Sequence, residues 1–239
     1  MFVKRINYSY DFNKCLLEWD DIQSRLMDNM WATSGDGSTQ TCLQKNPKNG
    51  RDPFTDGTGS FRNTGNVELD YNMLNEIYEG TVFDSMIRDL DGVRSRIMIK
   101  KMHTTYSIHQ DKTPRYHLAL KTNPNAYFIF PTLNEIMHIP ADGYVYEIDT
   151  TIPHSFVNCG ENRTHLVISK KELTMLRYRI LQNDDLGPGR QVCDGMLEIE
   201  ARELMFQLQD TYPDNNYEIE EYNFVPLEGK GIGRDPDLH

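Results

Sequence analysis

What most limits the fold of this chain is the stretch 93–169, where short strand-like runs follow one another with turn residues between them. In 93–101 the residues alternate, with Val93, Ser95, Ile97 and Ile99 on one face and Arg94, Arg96, Met98 and Lys100 on the other. That is the period of two a strand requires. Further runs follow at 103–108, 115–122, 126–130, 135–139, 144–149, 154–158 and 163–169. The breaks hold residues that favour turns: Lys112-Thr113-Pro114, Asn123-Pro124-Asn125, Pro140 to Gly143, and Cys159 to Asn162. Many short strands with regular turns predict a mainly β fold with flanking helices, either a double-sheet jelly roll or a barrel.

The flanks read differently. After a short strand at 2–6, Asp11 opens a helical pattern in which Phe12, Cys15, Leu16, Trp19, Ile22, Leu26 and Met30 form one apolar stripe, a core-packing signature. Segment 33–66 is dense in Gly, Ser, Thr, Asn and Asp. It is too long for an ordinary connection, so it is a functional loop over a site or a mobile insertion, with Phe54 and Phe61 able to pin it. Helices are expected at 67–79 and 82–90, the second capped by Thr81 and ended by Asp91-Gly92. Ser169-Lys-Lys-Glu172 fits a capping box and predicts a helix through Leu173, Leu176, Ile180 and Leu181, with another at about 194–209 and an acidic, irregular tail after Pro213. The chain thus reads as a single domain, 1–239. Helical support with the long loop occupies 1–92, the β core 93–169, and C-terminal helices with the tail 170–239.

Composition narrows the function. A formal net charge of −11 with no Lys/Arg block argues against nucleic acid or an anionic membrane as partner. Mean hydropathy is −0.63, no window reaches the length of a membrane span, and the first residues lack the apolar core of a signal peptide. The four cysteines are scattered without a C-x-x-C pair, which suits reduced thiols in the cytoplasm. Gly229 to Gly233 lacks the spacing of a P-loop.

The chemistry lies in the strand region. His109 and Asp111 form an H-x-D pair at the end of one run, and His154 follows 43 positions after Asp111. Two histidines and a carboxylate on one side of a metal leave open positions, the layout of non-haem Fe(II) oxygenases. Arg163 comes nine residues after His154, and a buried guanidinium there invites a small carboxylate. By parity Arg115 and His117 share one strand face, Arg163 and His165 another, and His154, Phe156 and Asn158 a third. If these faces line one cavity it is basic and suits a dianion. The competing reading is ordinary polar-out strands with Leu118, Leu120, Leu166 and Ile168 as core. Against it, six of the seven histidines fall between His103 and His165.

The runs H-Q-D, R-Y-H-L-A-L-K-T-N and P-H-S-F-V-N-C-G-E-N-R-T-H-L-V, within about 94–168, resemble the aspartyl/asparaginyl β-hydroxylase family of 2-oxoglutarate/Fe(II) dioxygenases, which includes bacterial proline hydroxylases. The resemblance implies a double-stranded β-helix, with His109, Asp111 and His154 as catalytic iron ligands. Arg163 would hold the distal carboxylate of 2-oxoglutarate, and Arg115 and His117 would complete the co-substrate site. Mammalian protein-modifying members have glycine where Asp111 stands, so the chain is closer to the small-molecule hydroxylases. The activity implied is O2-dependent hydroxylation of a free amino acid or a peptide side chain, with release of succinate and CO2. Arg94, Arg96, Tyr106 and loop 33–66 are candidates for substrate contact. Two other readings stay open: a cupin-like module that only binds a ligand, and a metal-dependent isomerase or oxygenase on the same barrel that does not use 2-oxoglutarate.

Overall fold

Asp11 begins the first helix, α1 (Phe12–Arg25), by accepting a hydrogen bond from the Lys14 amide, and the stripe Cys15, Trp19 and Ile22 is buried. The Thr81 hydroxyl caps α2 (Val82–Asp89) in the same way, accepting from the Asp84 amide. After Leu90 the chain turns through Asp91 at φ 43° into Gly92, where an added Cβ would lie 2.1 Å from Ile168 Cγ2. Only glycine fits there. The computed structural model describes residues 2–48, 52–59, 66–171, 175–183, 190–196 and 198–224. They are mainly β, in several antiparallel sheets with a few helices. The described residues fall into two compact units, one within Met1–Lys171 and one within Glu172–Leu227.

The strands of the first unit are β1 (Val3–Ser9), β2 (Ala32–Thr33), β3 (Thr39–Cys42), β4 (Gln44–Lys45), β5 (Met73–Leu74), β6 (Val93–Lys100), β7 (Thr104–Thr105), β8 (Arg115–Lys121), β9 (Ala126–Phe130), β10 (Glu135–Met137), β11 (Tyr144–Ile148), β12 (Ser155–Asn158) and β13 (Arg163–Ser169). A seven-stranded sheet has the order β1-β11-β8-β13-β6-β3-β2, and a four-stranded sheet the order β10-β9-β12-β7. The turns fall where Gly, Pro and Asn are concentrated. The Ala126 amide donates to Asn123 O, and Gly143 takes φ 79° between Asp142 and β11.

The two faces of the seven-stranded sheet do different work. Leu118, Leu120, Leu166, Ile168 and Ile97 pack with Trp19, Ile22, Phe83 and Met86 of the two helices in one core. The opposite face joins the four-stranded sheet around a second core of Phe128, Phe130, Ile148 and Phe156. So the leucine-rich face is core, but the Arg/His face of β8 and β13 is a second buried layer and not a solvated one.

Several sequence expectations give way. In place of a helix at 67–79 there are short 3-10 turns at Glu68–Asp70 and Glu76–Tyr78 flanking β5. Segment 33–66 contributes β2, β3 and β4, and Phe54 packs against the first core, while Phe61 lies outside the described residues. In the second unit, strands β14 (Met175–Asn183), β15 (Arg190–Met196) and β16 (Asn216–Phe224) form a sheet ordered β15-β14-β16, with one helix, α3 (Glu198–Thr211). The helix expected through Leu176 and Ile180 is therefore β14. Its pairing with β16 runs the full length of both strands, so non-local hydrogen bonding outweighs the local helical spacing. The same pairing makes a strand of part of the acidic tail; Gly229 to Gly233 lie outside the described residues. Among the described residues no helix is long and apolar enough to cross a membrane. Cys15, Cys42 and Cys159 are free thiols.

Leu118, 2% exposed, fills the first core, whereas Leu17 on the outer side of α1 is 71% exposed. Leu118→Ala should therefore lower unfolding free energy by about 2–5 kcal/mol, and Leu17→Ala should change it by less than about 0.5 kcal/mol, both read from urea unfolding midpoints.

Candidate functional site

Beyond β7 the chain stays antiparallel to the segment that leads into β12. The Tyr106 amide donates to Phe156 O, and the Asp111 amide to Thr150 O. Between them, His109 and His154 exchange both backbone hydrogen bonds, each 2.9 Å. This isolated bridge brings the two imidazole rings together, with centroids 4.3 Å apart and the planes tilted by 49°. Each ring also uses Nδ1 on a backbone carbonyl two residues earlier: His109 on Ser107 O at 2.8 Å and His154 on Ile152 O at 3.0 Å. A carbonyl can only accept, so Nδ1 carries a proton in both rings, and Nε2 is the nitrogen left to offer a lone pair in the neutral form.

His109, Asp111, Arg115, His117, His154 and Arg163 all line one cavity, with Arg96, Tyr106, Phe128, Phe156 and Thr150 among the other walls. The sequence reading that their strand faces meet is thus met, apart from two residues. Asn158 instead uses Nδ2 on the carbonyls of Lys100, Lys101 and Glu161. His165 sits behind Arg163, where its Nδ1 accepts from the Arg163 guanidinium.

Among the described residues, no group of three His, Cys, Asp or Glu side chains stands as a metal-holding cluster. The Asp111 carboxylate lies instead with Oδ2 3.3 Å from Arg115 Nε. The donor types do suit a divalent cation of borderline softness: two imidazoles whose Nε2 atoms are not used on the backbone, and a carboxylate on the same cavity. Burial, with a smaller push from neighbouring His109 and against the pull of Asp111, lowers the His154 pKa to about 4, so the ring is neutral at neutral pH. Burial pushes Asp111 upward, but its side chain keeps 28% exposure, and the neighbouring charge of Arg115 above all, with Arg96 further off, holds it well below the usual carboxylate range.

The two arginines expected at the co-substrate part ways. Arg163, 3% exposed, lies over the Phe156 ring at 4.0 Å and beside Phe128 at 5.6 Å. Among the described residues no carboxylate pairs with it, and its Nε has no hydrogen-bond partner. Burial without a counter-ion lowers its pKa to about 9. A buried cation in this condition has unmet hydrogen-bonding capacity that suits an anion. Arg115 is committed elsewhere: NH1 and NH2 donate to the two oxygens of Glu68 at 3.0 and 2.6 Å. Arg115 thus lines the cavity with its guanidinium held by Glu68 and facing Asp111.

Glu68 is the residue that sequence reasoning missed. It is 4% exposed and also pairs with Arg94 NH1 at 2.7 Å. Burial alone would raise its pKa, but Arg115 and Arg94 bring it down to about 2. No local signal marks it, since it sits in a segment with helical spacing. Arg94 is likewise no cavity residue. Its φ of 49° coincides with a register shift between β6 and β13, which turns its side chain to Glu68 and to the carbonyls of Gly57 and Gly59. Arg96, two residues on, lines the cavity and donates to Gln40.

His117 and His165 lie with Nδ1 atoms 3.5 Å apart, and burial together with Arg163 pushes both pKa values well below 6.5. Folded, these rings stay neutral where the unfolded chain takes up protons. The unfolded state therefore binds more protons below about pH 6.5, and stability falls with acidification by about 1.4 kcal/mol per pH unit for each ring. Thermal unfolding of the metal-free protein should show this loss as pH drops from 6.5, and His165→Gln should make the dependence shallower.

No protein-family model matches the chain, and comparison with curated proteins gives no match.

Proposed function

We propose that this chain is an Fe(II)- and 2-oxoglutarate-dependent dioxygenase that hydroxylates a C–H bond of a free amino acid or a peptide side chain on a double-stranded β-helix, with release of succinate and CO2. The observation that carries the reading is a single cavity holding both a bridged histidine pair with free Nε2 atoms and a buried guanidinium without a counter-ion. The strand order supports the fold. β6, β8, β11 and β13 are adjacent as β11-β8-β13-β6, and the chain passes between them and β10-β9-β12-β7 at every step except the β9–β10 hairpin, the connectivity expected of an eight-stranded jelly roll. In that arrangement His109 and Asp111 follow the second strand, His154 precedes the seventh, and Arg163 opens the eighth.

His109 and His154 through Nε2, and Asp111 through its carboxylate, are the residues that would hold the iron. Bound iron, with 2-oxoglutarate and O2, supplies the oxidising power to functionalise an unactivated C–H bond. The chain's own part is to bind, orient and exclude water. Arg163 offers a fork of donors to the distal carboxylate of 2-oxoglutarate, in surroundings where a charge pair is poorly screened. Phe128 and Phe156 flank that guanidinium and keep water from it. Neutral His117, beside Phe128, is a hydrogen-bonding wall for the same anion that adds no further charge. Arg96, Met98 and Tyr106 form the remaining wall, on which the substrate would sit.

A second reading, a cupin-like binding module without turnover, draws on Asp111 being turned to Arg115 and on the missing three-ligand cluster. Anaerobic titration of the metal-free protein with Fe(II) and 2-oxoglutarate separates the two. The expected result is a visible charge-transfer band, absent in His109→Ala, Asp111→Ala and His154→Ala, with succinate formed once O2 and a suitable amino acid or peptide are added. Arg163→Met should keep iron binding but weaken 2-oxoglutarate by roughly 10- to 100-fold, the equivalent of about 1.5–3 kcal/mol for a charged hydrogen-bonded pair. A folded protein that gives neither band nor succinate contradicts the proposal.

A further inference from the structure

Glu68 occupies a position that the cavity chemistry alone does not explain. It touches no open part of the cavity, yet two routes lead from it to Asp111. One is the guanidinium of Arg115, whose NH1 and NH2 grip Glu68 while Nε faces Asp111 Oδ2 at 3.3 Å. The other runs through Thr113. Its hydroxyl donates to Glu68 at 2.6 Å, its carbonyl accepts from the Thr150 hydroxyl at 2.9 Å, and the Thr150 carbonyl accepts from the Asp111 amide at 2.8 Å. The side chain and the backbone of Asp111 are therefore both tied to one buried carboxylate.

We infer that Glu68 is a positioning residue for the metal-binding carboxylate, acting through Arg115. The inference rests on the proposed metal site. With Glu68 present, NH1 and NH2 of Arg115 are held by Glu68 and Thr113 while Nε faces Asp111 by one oxygen, Oδ2. Without it, a buried guanidinium loses its principal counter-ion, and Asp111 is the nearest remaining carboxylate that pairs with it. Arg115 then competes with the metal for Asp111 instead of aiming it. Arg94 shares Glu68 and otherwise donates to the carbonyls of Gly57 and Gly59, away from the route through Arg115, which makes it the internal control.

The test uses Co(II) alone as the probe, titrated calorimetrically into the full-length metal-free protein, with melting temperature measured in parallel. Glu68→Gln and Arg115→Lys should weaken Co(II) by about 10- to 100-fold, the usual effect of losing a partner that orients a metal ligand. Arg94→Gln breaks the other half of the buried pair and should lower the melting temperature while leaving Co(II) affinity close to that of the parent. If Glu68→Gln does not fold, the contrast between Arg115→Lys and Arg94→Gln decides. Folded Glu68→Gln and Arg115→Lys proteins that bind Co(II) as the parent does would overturn the inference, as would an Arg94→Gln protein that loses as much affinity as they do. A parent protein that binds no Co(II) overturns the metal site itself, a distinguishable failure.

Discussion

Two backbone hydrogen bonds, exchanged between His109 and His154 at 2.9 Å each, are the constraint on which the candidate site depends. With the flanking bonds from Tyr106 to Phe156 and from Asp111 to Thr150, they bring together two residues 45 positions apart in the chain (154 − 109), with ring centroids 4.3 Å apart. The bridge is possible because the chain leaving β7 keeps antiparallel register with the chain entering β12. The carbonyls of Ser107 and Ile152 then fix the same tautomer in both rings, so backbone geometry sets which nitrogen each histidine can offer. A metal ligand oriented by backbone needs no further side chain to hold it.

The carboxylate is held by other means. Asp111 lies between cations, and its orientation depends on Arg115, which depends in turn on Glu68. Replacing one member of such a chain leaves a charge without its partner in a poorly solvating place, which is costly wherever it occurs. Arg163 shows the contrary arrangement. Aromatic faces and a neutral histidine surround it, and none of these cancels its charge. The two arginines have similar burial, and the difference in their partners separates a residue that builds the site from one that binds at it.

Much of this was legible in the sequence because strand alternation is a local property. The period of two across 115–121 and 163–169 put Arg115, His117, Arg163 and His165 on definite faces, and turn residues marked where strands β8, β9, β11 and β13 begin and end. Illegible parts depended on pairing between distant segments. The register shift at Arg94 diverts it from the face it shares with Arg96, and no neighbour in sequence announces that. Glu68 acquires its role only because Arg94 and Arg115 converge on it, 26 and 47 positions away. Likewise Leu176 and Ile180 have helical spacing, yet they lie in β14 because β16 supplies a complete row of hydrogen-bond partners. Side-chain partners across the fold thus decided what the local pattern left open.

The most direct measurement is a crystal structure of the protein grown with Mn(II), an inert substitute for Fe(II), with anomalous scattering locating the metal. The expected result is one strong anomalous peak in the cavity, within bonding distance of His109 Nε2, His154 Nε2 and one Asp111 oxygen, with Arg115 still paired to Glu68. A cavity without a peak, or a peak bound by other residues while Asp111 stays on Arg115, would contradict the metal site and the function built on it.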